Sequence, residues 1–191
     1  NADRILLTSG GTESNNLALL GLAGRSPGRV IISSVEHPSV NGPAEQLQQR
    51  GFDVQRLRVD NAGVVDESHL DELLTPDTRL VSVMLANNET GVLQPIERLA
   101  GKCRRLGITL HTDAVQAVGK IPVHFGALQV TALTLTAHKF HGPRGVGALI
   151  IKRDQRIDPL FFGGVQQMGL RPGTEPIELA VGLERALRCW Q

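Results

Sequence analysis

The chain has 191 residues, of which 41% are hydrophobic, and its 20 Lys and Arg residues nearly balance its 19 Asp and Glu residues. A chain of this length buries about two-thirds of the surface that it exposes when unfolded, so we expect one domain with its own core. The two charge signs are interspersed, which argues against nucleic acid or a polyanionic surface as partner. No apolar run approaches the roughly 18 residues that a membrane span needs, and a signal-peptide pattern is absent.

The two cysteines, Cys103 and Cys189, are far apart and match neither a disulfide framework nor a zinc-ligand spacing. Cys103 shares an apolar helix face with Ile96 and Leu99, so we expect it in the core, and we expect the same of Cys189 in the last helix. Two such thiols suit a reducing compartment, and a soluble cytoplasmic protein is expected. The chain begins at Asn1 without a methionine and enters an apolar strand almost at once, which predicts a fragment.

Strand and helix patterns alternate along the chain with short polar joints, which is typical of an α/β domain with a mostly parallel sheet. The predicted fold has three layers, α/β/α, around a central sheet of about seven strands. We predict these strands at residues 5–7, 30–32, 54–59, 80–85, 108–111, 132–136 and 146–151.

Helices are predicted in the gaps between the strands. Leu70 and Leu73 repeat at helical spacing behind Asp66, which is a favourable N-cap residue. A second predicted helix follows Pro95 and ends at Gly107.

Glycine and proline are dense over residues 161–176, which predicts a long functional loop, and a last helix is predicted over 177–190. The chain contains no internal repeat, no low-complexity tract and no linker. Residues 1–191 are therefore expected to form one domain.

The polar clusters of this chain follow predicted strands. In parallel α/β sheets, ligands bind at the carboxyl ends of the strands, because loops and helix N-termini meet there. The turn after the first strand leads into a helix whose free N–H groups and dipole would suit a phosphate, with the Thr12 hydroxyl as a further donor. Glycine turns before helices are common, so this signal alone leaves the question open. The clusters lie at 8–16, 36–38, 87–91, 111–116 and 136–145.

Asp113 and Lys139 are the most informative of these polar residues. A carboxylate at the buried mouth of an apolar strand costs several kcal/mol unless a cation is paired with it, and a protonated pyridinium nitrogen would be such a partner. Lys139 follows the apolar exit of the sixth strand on the same rim. We expect it to be partly desolvated there, with its free amine available to form an imine with a carbonyl cofactor. The pattern therefore predicts a site for a carbonyl cofactor with a protonated ring nitrogen, in which Lys139 supplies the amine.

Three other classes of protein are compatible with part of the pattern. The turn at Gly10 superficially suits a nucleotide-binding domain, but GxGxxG and GxxxxGK[ST] are absent. A non-catalytic cofactor-binding or dimerisation fragment is a second alternative. A metallohydrolase is the third, although HExxH and a cysteine pair are absent. Its candidate ligands are Asp113, His37, His111, His138 and His141.

The chain resembles the cysteine desulfurases, fold-type I pyridoxal-phosphate enzymes of the class-V aminotransferase superfamily, and most closely the branch that supplies iron–sulfur cluster assembly. Several motifs match in the family order over nearly the whole chain, which argues against chance agreement. Gly11 stands where alanine is frequent and Pro172 where serine is frequent, and both changes are mild. The motifs are TSGGTESNN at 8–16, EHPSV at 36–40, NNETG at 87–91, HTDAVQAVGK at 111–120, AHKFHGPRGVGAL at 137–149 and RPGTEP at 171–176.

This resemblance implies a role for each candidate site residue. Lys139 is the Schiff-base lysine, Asp113 pairs with the pyridinium nitrogen, and His37 stacks on the ring and is a second acid/base. Thr174 reaches the phosphate in a partner subunit, which implies a homodimer with shared sites. The implied phosphate ligands are Gly11, Thr12, Thr136 and His138. The implied partners of the phenolic oxygen are Asn88 and Gln116.

The resemblance also implies the reaction of the intact enzyme. L-Cysteine is converted to L-alanine, and the sulfur passes as a persulfide to a cysteine outside this chain, for iron–sulfur cluster or thio-cofactor assembly with a sulfur-acceptor or scaffold protein. Family members carry a segment before the position of Asn1, and after that of Gln191 a smaller domain with the catalytic cysteine and a substrate-carboxylate arginine. Residues 1–191 would therefore be the large cofactor-binding domain. A selenocysteine lyase, a related β-lyase or another class-V enzyme would share these motifs.

Overall fold

The computed structural model describes residues 3–190, so the chain ends at which the sequence predicts missing segments lie outside the described residues. Its strands are β1 (Arg4–Thr8), β2 (Arg29–Ser33), β3 (Asp53–Leu57), β4 (Thr78–Ser82), β5 (Thr109–Asp113), β6 (Ala132–Thr136) and β7 (Gly147–Ile151). Its α-helices are α1 (Gly11–Leu22), α2 (Pro38–Gln49), α3 (Glu67–Leu73), α4 (Ile96–Arg105), α5 (Phe125–Leu128) and α6 (Ile177–Trp190). Short 3₁₀ turns lie at Ala137–Phe140 and Gln166–Gly169.

All seven strands form one sheet, in the order β1-β7-β6-β5-β4-β2-β3. The strands β2 to β6 pair in parallel, whereas β7 runs antiparallel to both β6 and β1. The short connection between β6 and β7 explains this exception, because a parallel neighbour needs a long crossover. The predicted mostly parallel sheet of about seven strands is confirmed.

The central strands are covered on both faces, which makes the three predicted layers. Along each strand the side chains alternate between the faces. Val30 and Leu80 point into a core that includes residues of α1 and α2. Their neighbours Ile31 and Val81 belong to the core on the other face, with Leu99 of α4. A parallel sheet is stable with both faces covered in this way, and only the strand ends remain for polar groups.

The predicted helix boundaries agree with the structure. Asp66 caps α3, and its Oδ1 accepts the backbone N–H groups of Ser68 and His69. The helix α4 begins directly after Pro95, and the chain leaves it through Gly107, which has a φ of 69°. Within residues 3–190, no helix is both long and apolar enough to cross a lipid bilayer.

Two strands end earlier than predicted. Those predicted at 54–59 and 80–85 end at Leu57 and Ser82. The chain after Ser82 stays close to β5, since the N–H of Leu85 donates to the carbonyl of Asp113. The apolar run therefore continues beyond the last paired residue of β4. The residues after Ser82 lie along the edge of the sheet at which the polar clusters meet.

Candidate functional site

A cavity of about 320 Å³ lies at the carboxyl ends of β4, β5 and β6, against the N-termini of α1 and α2. Its lining joins five polar clusters that are distant in the sequence. The parallel strands bring them to one edge, as the sequence predicts. The lining residues are Gly11, Thr12, Asn15, His37, Ser39, Met84, Ala86, Asn88, Asp113, Val115, Gln116, Thr136, His138 and Lys139.

Every predicted site residue except Thr174 lines this cavity. Thr174 is exposed in the loop before α6 and does not contribute to the lining. The sequence assigned Thr174 to the site of a partner subunit, and that assignment stays a prediction.

Asp113 is the buried acid of the cavity, at the end of β5 and only 5% exposed. Its Oδ2 accepts a hydrogen bond from Asn15 Nδ2 at 2.7 Å, and its Oδ1 accepts one from the backbone N–H of Val115 at 2.9 Å. Burial raises the pKa of this carboxyl, and the two hydrogen bonds, with a smaller electrostatic contribution from His37, offset the rise only in part. Among residues 3–190, no Lys, Arg or His forms a salt bridge with Asp113.

A hydrogen-bond chain links Asp113 to His37 through two residues to which the sequence assigned no role, Asn15 and Ser39. Asn15 Nδ2 donates to both Asp113 Oδ2 and Ser39 Oγ, the latter at 2.8 Å. His37 caps α2, and its Nδ1 accepts the N–H of Ser39 at 3.1 Å and lies 2.8 Å from Ser39 Oγ. Because Nδ1 accepts, the neutral ring carries its proton on Nε2. Asn15 lies one helical turn after Gly11, which is the signal that could have found it.

Glu36 is a second buried carboxyl, beside the cavity. Its Oε1 accepts hydrogen bonds from Ser33 Oγ and from the backbone N–H of Met84, while its Oε2 has no partner. Burial, with a smaller contribution from the charge of Asp113, raises the pKa of Glu36 to about 8. Glu36 is therefore mostly protonated at neutral pH, a role that the EHP motif did not reveal.

Lys139 lies in the 3₁₀ turn Ala137–Phe140 directly after β6. This turn buries its first and last residues and leaves His138 and Lys139 exposed. The expectation that Lys139 is partly desolvated is therefore wrong for the described chain, because the side chain lies at the mouth of the cavity. Its amine is accessible to a ligand from solvent.

The N-terminus of α1 and the end of β6 offer hydrogen-bond donors to the cavity. The helix α1 starts at Gly11 behind Gly10, and no side chain caps it, so its first N–H groups and the Thr12 hydroxyl are available. Thr136 Oγ1 lies 3.2 Å from Nδ1 of His138. Desolvation, with the nearby positive charges of Lys139 and an arginine, lowers the pKa of His138. Helix dipole and donors together suit an anion.

The two cysteines differ from each other in the structure. Cys103 is 1% exposed in the core, as predicted, and burial raises the pKa of its thiol to about 12. Cys189 is exposed, so the prediction of a core position is wrong. The helix α6 buries only Leu183, and its last turn extends beyond the packed face.

The histidines considered as metal ligands are not arranged as a metal site. His111 is buried, with Nδ1 2.9 Å from Ser82 Oγ and Nε2 3.0 Å from Thr134 Oγ1. Burial lowers the pKa of His111 to about 3, so it is a neutral member of the polar layer beneath the cavity. The described part of the chain contains no group of three or more His, Cys, Asp or Glu that could hold a metal ion.

Comparison with known proteins gives concordant matches. The family described as Aminotransferase class-V matches residues 1–191. The chain is 44% identical over 189 residues to the cysteine desulfurase IscS of Dictyoglomus turgidum, covering 97% of this chain and 48% of that protein. It is 47% identical over 190 residues to the cysteine desulfurase NifS of Azotobacter vinelandii, covering 96% of this chain and 47% of that protein. The crystal structure of DndA from Streptomyces lividans has a TM-score of 0.90 at 43% identity, over 98% of this chain and 55% of that one.

The chain thus spans about half the length of the curated relatives that it matches. The family match extends over all the motifs that line the cavity. Enzymes of this family depend on pyridoxal phosphate. The chain therefore belongs to the class-V aminotransferase family and is similar to its cysteine desulfurases.

Proposed function

We propose that this chain is the pyridoxal-phosphate-binding large domain of a cysteine desulfurase, which converts L-cysteine to L-alanine and transfers the sulfur as a persulfide to a cysteine outside this chain. One observation carries the proposal: Asp113 is buried without a cationic partner in a cavity whose mouth holds the Lys139 amine. A protonated ring nitrogen supplies the missing cation, and a carbonyl group suits the amine.

The polarity of the cavity supports this cofactor. Asp113 attracts a positive group, and the uncapped N-terminus of α1 attracts a negative group. Pyridoxal phosphate carries both kinds of group, a protonated ring nitrogen and a phosphate on an arm at another ring position. The residues proposed to hold it are Lys139 at the carbonyl carbon, Asp113 at the ring nitrogen, His37 on the ring face, Asn88 and Gln116 at the phenolic oxygen, and Gly11, Thr12, Thr136 and His138 at the phosphate.

Bound there, the cofactor supplies an electron sink for the charge that develops at the substrate Cα. Asp113 keeps the proton on the ring nitrogen that this role requires. Lys139 is the base that moves protons at Cα, and its exposure gives it the freedom to do so. His37 exchanges a second proton through Nε2, because Ser39 holds Nδ1 in place as a hydrogen-bond acceptor.

The sulfur-accepting thiolate is proposed to come from outside residues 3–190. Cleavage of the carbon–sulfur bond needs an ionised thiol aimed at the substrate sulfur. Cys103 is buried with a pKa raised to about 12, so it remains protonated at neutral pH. Cys189 does not line the cavity. A mobile cysteine elsewhere in the protein would serve, and a sulfur-acceptor or scaffold protein for iron–sulfur cluster or thio-cofactor assembly would take the sulfur from it.

The exposed position of Thr174 supports a homodimer in which this residue contacts the phosphate of the partner's site. We place the protein in the cytoplasm, where two unpaired cysteines stay reduced. Cross-linking with mass spectrometry tests the dimer, and cell fractionation tests the location.

Borohydride reduction of the chain loaded with pyridoxal phosphate tests the proposed function. We expect a pyridoxyl group on Lys139 and the loss of this adduct in Lys139→Ala. Lys152→Ala is the matched control, because Lys152 lies at the far end of β7, outside the cavity. An adduct on another lysine, or equal labelling of both variants, would refute the assignment.

A further inference from the structure

The motifs at 8–16 and 171–176 contain three charged residues that the proposed function leaves unassigned, Glu13, Arg171 and Glu175, and the first two form an ion pair. Glu13 lies in the first turn of α1, next to Thr12. Arg171 Nε donates to Glu13 Oε1 at 2.8 Å and Nη2 donates to Oε2 at 3.2 Å, so the guanidinium binds both carboxylate oxygens. The two side chains are only 19% and 11% exposed. A bidentate pair with so little exposure holds its geometry better than a surface ion pair.

The loop that carries Arg171 is docked on the rest of the chain by further contacts. The side-chain amide of Gln167 accepts from the N–H of Leu7 at 2.6 Å and donates to its carbonyl at 3.0 Å, as a neighbouring strand would at the edge of β1. Leu160 and Leu170 pack against the core beside α1. The surroundings of Arg171 therefore hold it at the N-terminus of α1.

Glu13 places a negative charge at the helix end proposed for the phosphate. Burial by itself would raise the pKa of Glu13, but the hydrogen bonds from Arg171 and from the backbone N–H of Ser9 outweigh burial and hold the pKa below its ordinary value. Glu13 is therefore ionised at neutral pH, within one helical turn of Gly11 and Thr12. A bare carboxylate at this position would repel the phosphate that the N–H groups of α1 attract.

We propose that Arg171 balances the charge of Glu13 and thereby keeps the N-terminus of α1 receptive to the phosphate group of the cofactor. Arg171 acts through Glu13 and is a positioning residue. Glu13 has a separate local role, because its Oε2 accepts the N–H of Ser9 at 2.7 Å and closes the turn between β1 and α1. This inference rests on the proposed function, since it requires pyridoxal phosphate in the cavity.

Charge balance predicts opposite effects of the two single substitutions. Arg171→Gln leaves the charge of Glu13 unbalanced and should weaken the binding of pyridoxal phosphate about tenfold, whereas Glu13→Gln should leave it unchanged or strengthen it. The double variant Glu13→Gln/Arg171→Gln should bind within about threefold of wild type, since both charges are gone. Pyridoxal, which lacks the phosphate, should bind all four proteins within about threefold of one another.

Absorbance titration of each protein with both compounds measures these affinities. The matched control is Arg98→Gln, which breaks the exposed ion pair between Arg98 and Glu67 far from the cavity. If both single substitutions weaken pyridoxal-phosphate binding similarly, or if the double variant stays as weak as Arg171→Gln, the pair acts through the fold and the inference is overturned. Equal losses for both compounds, or no loss at all, overturn it as well.

The wild-type titration separates this inference from the proposed function. If the wild-type chain binds neither compound, the proposed function fails and the charge-balance inference fails with it. If the wild type binds pyridoxal phosphate and the variants behave alike, only the charge-balance inference fails.

Discussion

The carboxylates in and around the cavity differ in what balances their charge. At the floor, Asp113 and the neighbouring Glu36 are buried without a cation, and burial raises both pKa values. At the N-terminus of α1, outside the lining of the cavity, Glu13 accepts hydrogen bonds from two nitrogens of Arg171, and its pKa is lowered. All three are acids near strand ends or helix starts. They differ in whether a cationic side chain of the protein forms a salt bridge with the carboxylate.

Asp113 forms no salt bridge within residues 3–190, whereas Arg171 already balances the charge of Glu13. A ligand with a cationic group beside Asp113 and an anionic group at the N-terminus of α1 would be stabilised electrostatically by both. A neutral or wholly anionic ligand would leave Asp113 without a partner. This polarity, more than the volume of the cavity, favours pyridoxal phosphate.

The largest expected effect concerns the floor, at Glu36. Glu36 stays protonated to about pH 8 in the folded chain but ionises around its ordinary value of 4.5 in the unfolded chain. Between these pH values the folded state holds the extra proton on Glu36, so the contribution of Glu36 to the free energy of unfolding falls as pH rises. The fall is about 1.4 kcal/mol per pH unit, on the order of 4 kcal/mol between pH 5 and pH 8. Buried His111, whose pKa is lowered to about 3, contributes a slope of opposite sign below pH 6.5.

Glu36→Gln should remove this part of the pH dependence, which urea unfolding of the cofactor-free chain at several pH values measures. Any remaining fall in the free energy of unfolding with rising pH belongs to Asp113, whose pKa is also raised. Glu45→Gln, at an exposed position on α2, is the control. A wild-type slope that survives Glu36→Gln unchanged would mean that Glu36 is already ionised in the folded chain.

A smaller effect is expected for Asp113→Asn. The substitution should weaken cofactor binding without lowering the stability of the cofactor-free chain. Loss of the buried counter-ion should weaken pyridoxal-phosphate binding roughly thirtyfold, or about 2 kcal/mol. The free chain should be at least as stable as wild type at pH 8, because an unpaired buried carboxylate is gone. The unpaired Oδ1 of Asn15 can accept from the new amide after a flip of the Asn15 side chain.

Titration of Asp113→Asn with pyridoxal phosphate in the absence of urea measures the change in binding. Urea unfolding of the same variant in the absence of pyridoxal phosphate measures the change in stability. Weaker binding accompanied by an equally large loss of stability in the free chain would show that Asp113 is structural. Unchanged binding would remove the main support for the proposed cofactor orientation.

The smallest effect is expected for the cysteines. The chain loaded with pyridoxal phosphate should release no sulfide from L-cysteine and form no persulfide, and a Cys189→Ala variant should be indistinguishable from wild type. Assays for alanine and for protein-bound persulfide, on wild type and on Cys103→Ala/Cys189→Ala, test this. Robust turnover that either substitution abolishes would show that the nucleophile lies within this chain.

The architecture and nine of the fourteen residues that line the cavity could be predicted from the sequence. Strand and helix periodicity are local properties, and parallel strands always bring their carboxyl ends to one edge. Polar clusters that follow successive strands must therefore meet, and this is how Asp113 and Lys139 were placed in one cavity.

Only the tertiary structure decided which polar groups touch and how deeply each is buried. The link from Asp113 to His37 through Asn15 and Ser39 joins residues from three elements, and its distances depend on how α1 and α2 pack on the sheet. The exposure of Cys189 likewise depends on where the packed face of α6 ends. Local pattern determines which face of an element is apolar, but the contacts of a single side chain are determined by the packing of elements that are distant in sequence, which no local pattern encodes.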